Sequence, residues 1–144
     1  MTIGTLVLFI TVFLLVTNFI IVYAYQHRNL KGSNELIFIL VTEILYTLPY
    51  IFQLISGKEN QAVFWYNVSI VGANLMGPAW LLFALAWSEL DARISVARLR
   101  LLRLALLIPT VVVCLAAWTN SRHGLYGTLV GLTQIGSLTV LEWN

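Results

Sequence analysis

The sequence predicts an all-α membrane protein: four transmembrane helices, the N-terminus outside, and a short extracellular tail shaped like a β-hairpin. Three observations carry this expectation. Of the 144 residues, 60% are hydrophobic and only 10% are charged, less than half the charged share of a soluble domain. Four apolar segments are each long enough to cross a bilayer. Lysine and arginine are distributed very unevenly among the short connections.

The first span covers residues 3–25 and is closed by Gln26-His27-Arg28-Asn29. It is longer than the apolar stretch of a signal peptide and has no Lys or Arg before it. As a helix it rises about 34 Å at 1.5 Å per residue, enough to cross the hydrocarbon core. The second span is expected at 34–56, ended by Gly57-Lys58-Glu59-Asn60, the third at 62–88 and the fourth at 99–118. Each must be helical, because lipid offers no water to a free backbone N–H or C=O. The whole chain, 1–144, reads as one membrane domain.

Charge sets the expected orientation. The first connection carries Arg28 and Lys31, and the third carries Arg93, Arg98, Arg100 and Arg103. The opposite side has only Lys58 and Arg122. Basic loops stay in the cytoplasm, so the first and third connections are expected inside and the N-terminus outside. Trp65, Trp118 and Trp143 then fall near the outer boundary, where indole rings settle. The tail, 119–144, holds Gly124, Gly127, Gly131 and Gly136 and is too glycine-rich for a fifth span. Two β-prone stretches, 127–132 and 137–143, flank Thr133-Gln134-Ile135-Gly136 and predict an antiparallel hairpin.

Polar residues inside the spans need partners or roles. Glu43 is the one acid within an apolar run. Tyr46, Tyr50 and Gln53 follow it on the same helix face. On the first span, Gly4, Thr11, Asn18 and Tyr25 recur every seven residues, as Asn67 and Asn74 do on the third. These stripes are expected to face the bundle interior. Counted from each span's centre, Asn18 lies about 6 Å and Glu43 about 3 Å to the cytoplasmic side, with Asn74 near the midplane. They could meet in one polar layer. Glu43 is therefore expected to be uncharged or hydrogen-bonded to Asn18, Asn74 or a tyrosine, since an ionised carboxylate here costs about 2.5–3.5 kcal/mol. Pro78 and Pro109 should bend the third and fourth helices.

Catalytic chemistry is missing from this pattern. The sequence has no glycine-rich phosphate loop and no paired carboxylates in one layer. His27 and His123 are expected on opposite sides of the membrane, so they cannot share a metal ion. Lys31 and Lys58 lie in loops, which excludes a buried retinal Schiff base, and no midspan histidine could hold haem. Cys114 stands alone as a small apolar residue. No basic patch is interleaved with aromatics, so nucleic acid is not an expected partner. No enzyme activity, metal or cofactor is expected.

Three stretches acquire meaning together. They are Trp65 with Gly72-Ala73-Asn74-Leu75-Met76-Gly77-Pro78-Ala79-Trp80-Leu81-Leu82-Phe83-Ala84-Leu85, then Leu106-Leu107-Ile108-Pro109, then Thr119-Asn120-Ser121-Arg122-His123-Gly124-Leu125-Tyr126. In order and spacing they resemble the N-terminal seven-helix sensor module of bacterial and archaeal membrane histidine kinases. The resemblance covers the first four helices of seven and implies an outer hairpin after the Thr-Asn-x-x-His segment. It also implies a prokaryotic plasma-membrane location and output through a cytoplasmic kinase domain not included here. Candidate ligand contacts, from the polar stripes and these stretches, are Glu43, Tyr50, Asn74, Trp80, Asn120 and His123. Two other readings compete. One is a small structural or accessory subunit docked among other membrane subunits; the other is a proton relay centred on Glu43.

The six-to-two distribution of basic residues makes a direct prediction. In intact cells, an impermeant thiol reagent should label Lys58→Cys and leave Arg98→Cys untouched. The reverse pattern would overturn the orientation.

Overall fold

The computed structural model describes residues 3–88, 94–125, 129–135 and 138–144. Within them lie four long helices, α1 (Ile3–Gln26), α2 (Ser33–Ile55), α3 (Glu59–Trp87) and α4 (Val96–Trp118). A single helical turn, α5 (Asn120–His123), and two strands, β1 (Leu129–Ile135) and β2 (Leu138–Trp143), follow. All four long helices are long and apolar enough to cross a membrane.

Two helices start three residues earlier than their apolar pattern implies, and local chemistry explains both. Glu59 stands in the first turn of α3, where a carboxylate complements the positive end of the helix dipole. Ser95 caps α4, its side chain accepting a bond from the Arg98 N–H at 3.4 Å, which satisfies a donor left free at a helix start. Between α1 and α2 the chain turns through Gly32, whose φ of 77° is left-handed. A Cβ there would also stand 3.3 Å from the Phe83 ring. Glycine therefore suits both the turn and the fit against α3.

The central contact is α2 on α3, the most extensive in the molecule, with α1 packed on α2 and α4 on α3. Among the described residues the four helices thus form a row in chain order. The α3 side of the central seam is built from small residues: Ala62, Ser69, Gly72, Ala79 and Ala86 are all buried. Opposite them α2 buries Ile39, Thr42, Pro49 and Gln53. At Gly72 the helices meet backbone to backbone, and a Cβ built there would collide with the main chain at Leu45 and Tyr46. Lipid is as apolar as leucine, so membrane helices gain association energy from close packing, and small residues allow it.

Pro78 and Pro109 lie inside α3 and α4, as expected, and Pro49 lies inside α2. A helical proline has no N–H, so the carbonyl four residues back loses its partner. For Pro78 that carbonyl belongs to Asn74. The Thr110 hydroxyl of α4 donates to it at 3.2 Å, and Thr110 is itself buried. The proline of one helix thereby creates an acceptor that ties it to the next.

The two ends of the helix row differ chemically. At one end the Glu35 carboxylate at the start of α2 lies 3.8 Å from Arg103 of α4, while Phe83 and Trp87 of α3 pack near Gly32. At the other end Phe52, Phe64, Trp65 and Trp118 form a continuous ring cluster, with centroids 4.7, 5.1 and 5.9 Å apart along the chain of contacts.

The hairpin forms with different limits from those expected. β1 and β2 are antiparallel, with Ile135 opposite Leu138 and a bulge between Leu129 and Gly131. Thr133, Gln134 and Ile135, expected in the turn, pair with Val140, Thr139 and Leu138. Thr133 is β-branched and suited to a strand, and its hydroxyl donates to Glu142 Oε2 at 2.7 Å across the pair. The expected strand start at 127–128, the expected turn glycine Gly136 and its neighbour Ser137 lie outside the described residues. β2 touches α2 and α3, and Leu141 is buried.

The expected orientation of the α1 stripe is not what the structure shows. Thr11, Asn18 and Tyr25 are exposed, while Thr17 and Ala24 are the buried ones among the described side chains of α1. Small residues again decide which face meets the neighbour. Asn18 escapes the need for a partner helix because its amide donates to the Leu14 carbonyl of its own helix at 2.8 Å.

Two measurements test this packing. Gly72→Ala should destabilise the detergent-solubilised protein by about 1–3 kcal/mol through overpacking, seen as a lower unfolding midpoint. Gly77→Ala, where a Cβ meets nothing within 4 Å, should be neutral or mildly stabilising. Thr110→Val should cost about 0.6 kcal/mol, with roughly 1.7 as an upper bound. That cost should shrink in a Pro78→Ala background, where the Asn74 carbonyl regains an intrahelical donor. Equal costs in both backgrounds would show that the proline does not create the acceptor.

Candidate functional site

α2 carries the densest set of polar groups inside a span. Glu43, Tyr46, Tyr50 and Gln53 share one face. Glu43 is half-buried and, among the described residues, makes no hydrogen bond or ion pair. The rings of Tyr46 and Tyr50 stack one turn apart, 6.0 Å between centroids and 13° between planes. Both remain open, at 37% and 41% exposure. One turn further, Gln53 is 5% exposed, and its Oε1 is buried without a hydrogen-bond partner. An unsatisfied buried acceptor costs roughly 1–3 kcal/mol. Beside Pro49, on another part of the α2 surface, lies a shallow apolar groove of about 270 Å³ lined by Val41, Ile44, Leu45, Leu48 and Pro49.

The expected polar layer of Asn18, Glu43 and Asn74 does not assemble. Asn18 bonds within α1. The Asn74 amide donates to Ile70 O at 2.9 Å, again within its own helix. Asn74 follows Gly72 by two residues, about 200° around the helix. Its side chain therefore leaves α3 well away from the α2 contact. A seven-residue spacing identifies a stripe, but it cannot say which neighbour the stripe meets.

Trp80 is 54% exposed and stands edge-on to Phe83, centroids 6.1 Å apart. Phe83 in turn stacks on Trp87 at 5.9 Å. This aromatic ladder climbs α3 toward the Gly32 turn and does not join the Glu43 face.

The Thr-Asn-x-x-His segment has a compact geometry. The Thr119 hydroxyl donates to Leu115 O at 2.7 Å, leaving its oxygen free to accept from His123 Nε2 at 3.0 Å. On the other side of the ring, Nδ1 accepts the Leu125 N–H at 3.1 Å. These partners assign the proton to Nε2. Gly124 follows with a left-handed φ of 62°, as a helix terminus demands. His123 is thus built into the turn that ends α4 and α5. Asn120 is half-buried beside it and is also engaged in an interaction.

The six candidates therefore divide into three places: Glu43 and Tyr50 on α2, Asn74 and Trp80 on different parts of α3, and Asn120 with His123 in the α5 turn. Sequence reasoning overlooked Pro49 and the special position of Gln53. A signal existed for the seam itself, since Ala62, Ser69, Gly72, Ala79 and Ala86 repeat at steps of seven, three, seven and seven. Among the described residues no group of three His, Cys, Asp or Glu could hold a metal ion.

Comparison with known proteins adds one finding. The family model described as the N-terminal 7TM region of histidine kinase matches residues 7–144. No curated protein and no solved structure matches the chain. Nearly the whole sequence lies within the family match, and four membrane-capable helices accompany it. The chain belongs to the family of N-terminal seven-transmembrane regions of histidine kinases.

Proposed function

We propose that this chain supplies the first four helices of a membrane sensor, non-catalytic by itself, whose signal is delivered to a cytoplasmic histidine kinase domain. The family match over residues 7–144 carries this reading. In it the N-terminus and the hairpin face outward from a prokaryotic plasma membrane, and the basic end of the helix row faces the cytoplasm. Glu43 and Tyr50 are the main ligand-facing candidates, with Asn74, Trp80, Asn120 and His123 as further ones. Support for the α2 face comes from its chemistry: a carboxyl group without a partner among the described residues, two open tyrosines and an unsatisfied glutamine oxygen one above another. Such groups in a membrane helix either find a ligand or a neighbouring helix, or they cost stability.

The test is made on native membranes. The chain, captured by an antibody and incubated with labelled ATP, should carry or co-purify with acid-labile phosphohistidine. Its absence from both the chain and every co-purifying protein would sink the sensor reading. Once a stimulus that changes this signal is found, Glu43→Gln should preserve expression and thermal stability and abolish the response. An unaltered response would remove Glu43 from the site.

A further inference from the structure

The start of α4 presents a charge problem that no described neighbour solves. Arg98, Arg100 and Arg103 are all exposed, and α4 has no acidic residue in its first turn. The positive end of the helix dipole therefore adds to the Arg98 guanidinium in that turn instead of opposing it, with two more guanidinium groups following close behind. Among the described residues only Arg103 of the three approaches a carboxylate, Glu35 at 3.8 Å, and it remains 51% exposed. Among the described residues Arg100 has no carboxylate partner.

Helix length places these residues against the lipid headgroups. The uncharged part of α4, residues 104–118, contains fifteen residues. It rises about 22 Å at 1.5 Å per residue, short of the roughly 30 Å of a hydrocarbon core. For α4 to span, Arg103 must sit below the headgroup level and Arg100 near it, with their side chains extended toward the phosphates. Arg100 and Arg103 are three residues apart and so share one face of the helix.

We propose that Arg100 and Arg103 form a binding site for the phosphate headgroup of an anionic phospholipid in the leaflet at the basic end of the helix row. Arginine suits this partner because its planar fork can give two parallel hydrogen bonds to phosphate oxygens. An anionic lipid also brings net negative charge, which a zwitterionic lipid does not. The leaflet's own field already attracts basic segments near the surface. Glu35 limits the site on one side by occupying part of Arg103. The bound lipid would then neutralise the start of α4 and set its depth. This inference rests on the membrane-spanning character of α4 and not on the sensing role.

Native mass spectrometry of the intact chain, released from detergent with defined lipids, tests it. Phosphatidylglycerol should bind at least fivefold more tightly than phosphatidylcholine. Arg100→Gln combined with Arg103→Gln should reduce that ratio to near one. Arg100→Gln alone, which leaves the Glu35 contact intact, should lower it measurably, and Arg122→Gln at the other end should not change it. Circular dichroism melts identify any variant that fails to fold, and Arg100→Gln then carries the test. Equal binding of the two lipids by the natural chain, or full retention of the preference in the double variant, would overturn the proposal. Displacement of the bound lipid by millimolar inorganic phosphate would also overturn it, since the site would then hold a free anion and not a lipid.

Discussion

The contact of Gly72 with the Leu45–Tyr46 backbone is the point on which the rest of this membrane fold depends. A single added carbon would collide with α2 there, so the two helices can approach this closely only while position 72 has no side chain. Ala62, Ser69, Ala79 and Ala86 keep the remainder of the seam shallow. Everything else is arranged around this pair: α1 leans on α2, α4 on α3, and β2 touches both central helices. In water such a seam would be reinforced by the expulsion of solvent. In lipid that driving force is missing, and contact distance itself does the work.

Proline supplies the second organising element. Each of the three prolines lies within a helix and frees one carbonyl. Thr110 meets the one released by Pro78, giving α3 and α4 a polar link inside the apolar layer. The carbonyl released by Pro49 belongs to Leu45, the residue whose backbone lies against Gly72. Two of the three prolines therefore free carbonyls at the two interfaces of α3. A displacement of either helix would have to break a backbone contact or a hydrogen bond.

Most polar side chains in the spans return to their own helix. Asn18, Thr42, Ser69 and Asn74 all bond a carbonyl three or four residues back. That local solution removes the reason for placing them in a shared layer, and it explains why the expected Asn18–Glu43–Asn74 cluster did not form. Glu43 and Gln53 have no such exit. The preceding turn offers only carbonyl acceptors, so the Gln53 Oε1 cannot bond there and a Glu43 carboxylate has no hydrogen to donate. They stand out as the groups whose chemistry the described helices leave unanswered. The distinction lies between donors and acceptors, which the one-letter pattern contains but a polarity count overlooks.

The sequence by itself determined the four spans and the hairpin, because apolar run length and β-branching act locally. It also contained the family resemblance through the Pro78 to Leu85 and Thr119 to His123 stretches, which the family match supports. Only the tertiary structure decided which face of each helix meets its neighbour. Periodicity marks several stripes on α1 and α3, yet the winning face was the one with Thr17 and Ala24, or with Gly72 and its small companions. Backbone approach distance is a property of two helices together. Polarity along one helix cannot reveal it, because an asparagine can satisfy itself and a glycine can be needed for a neighbour far away in sequence.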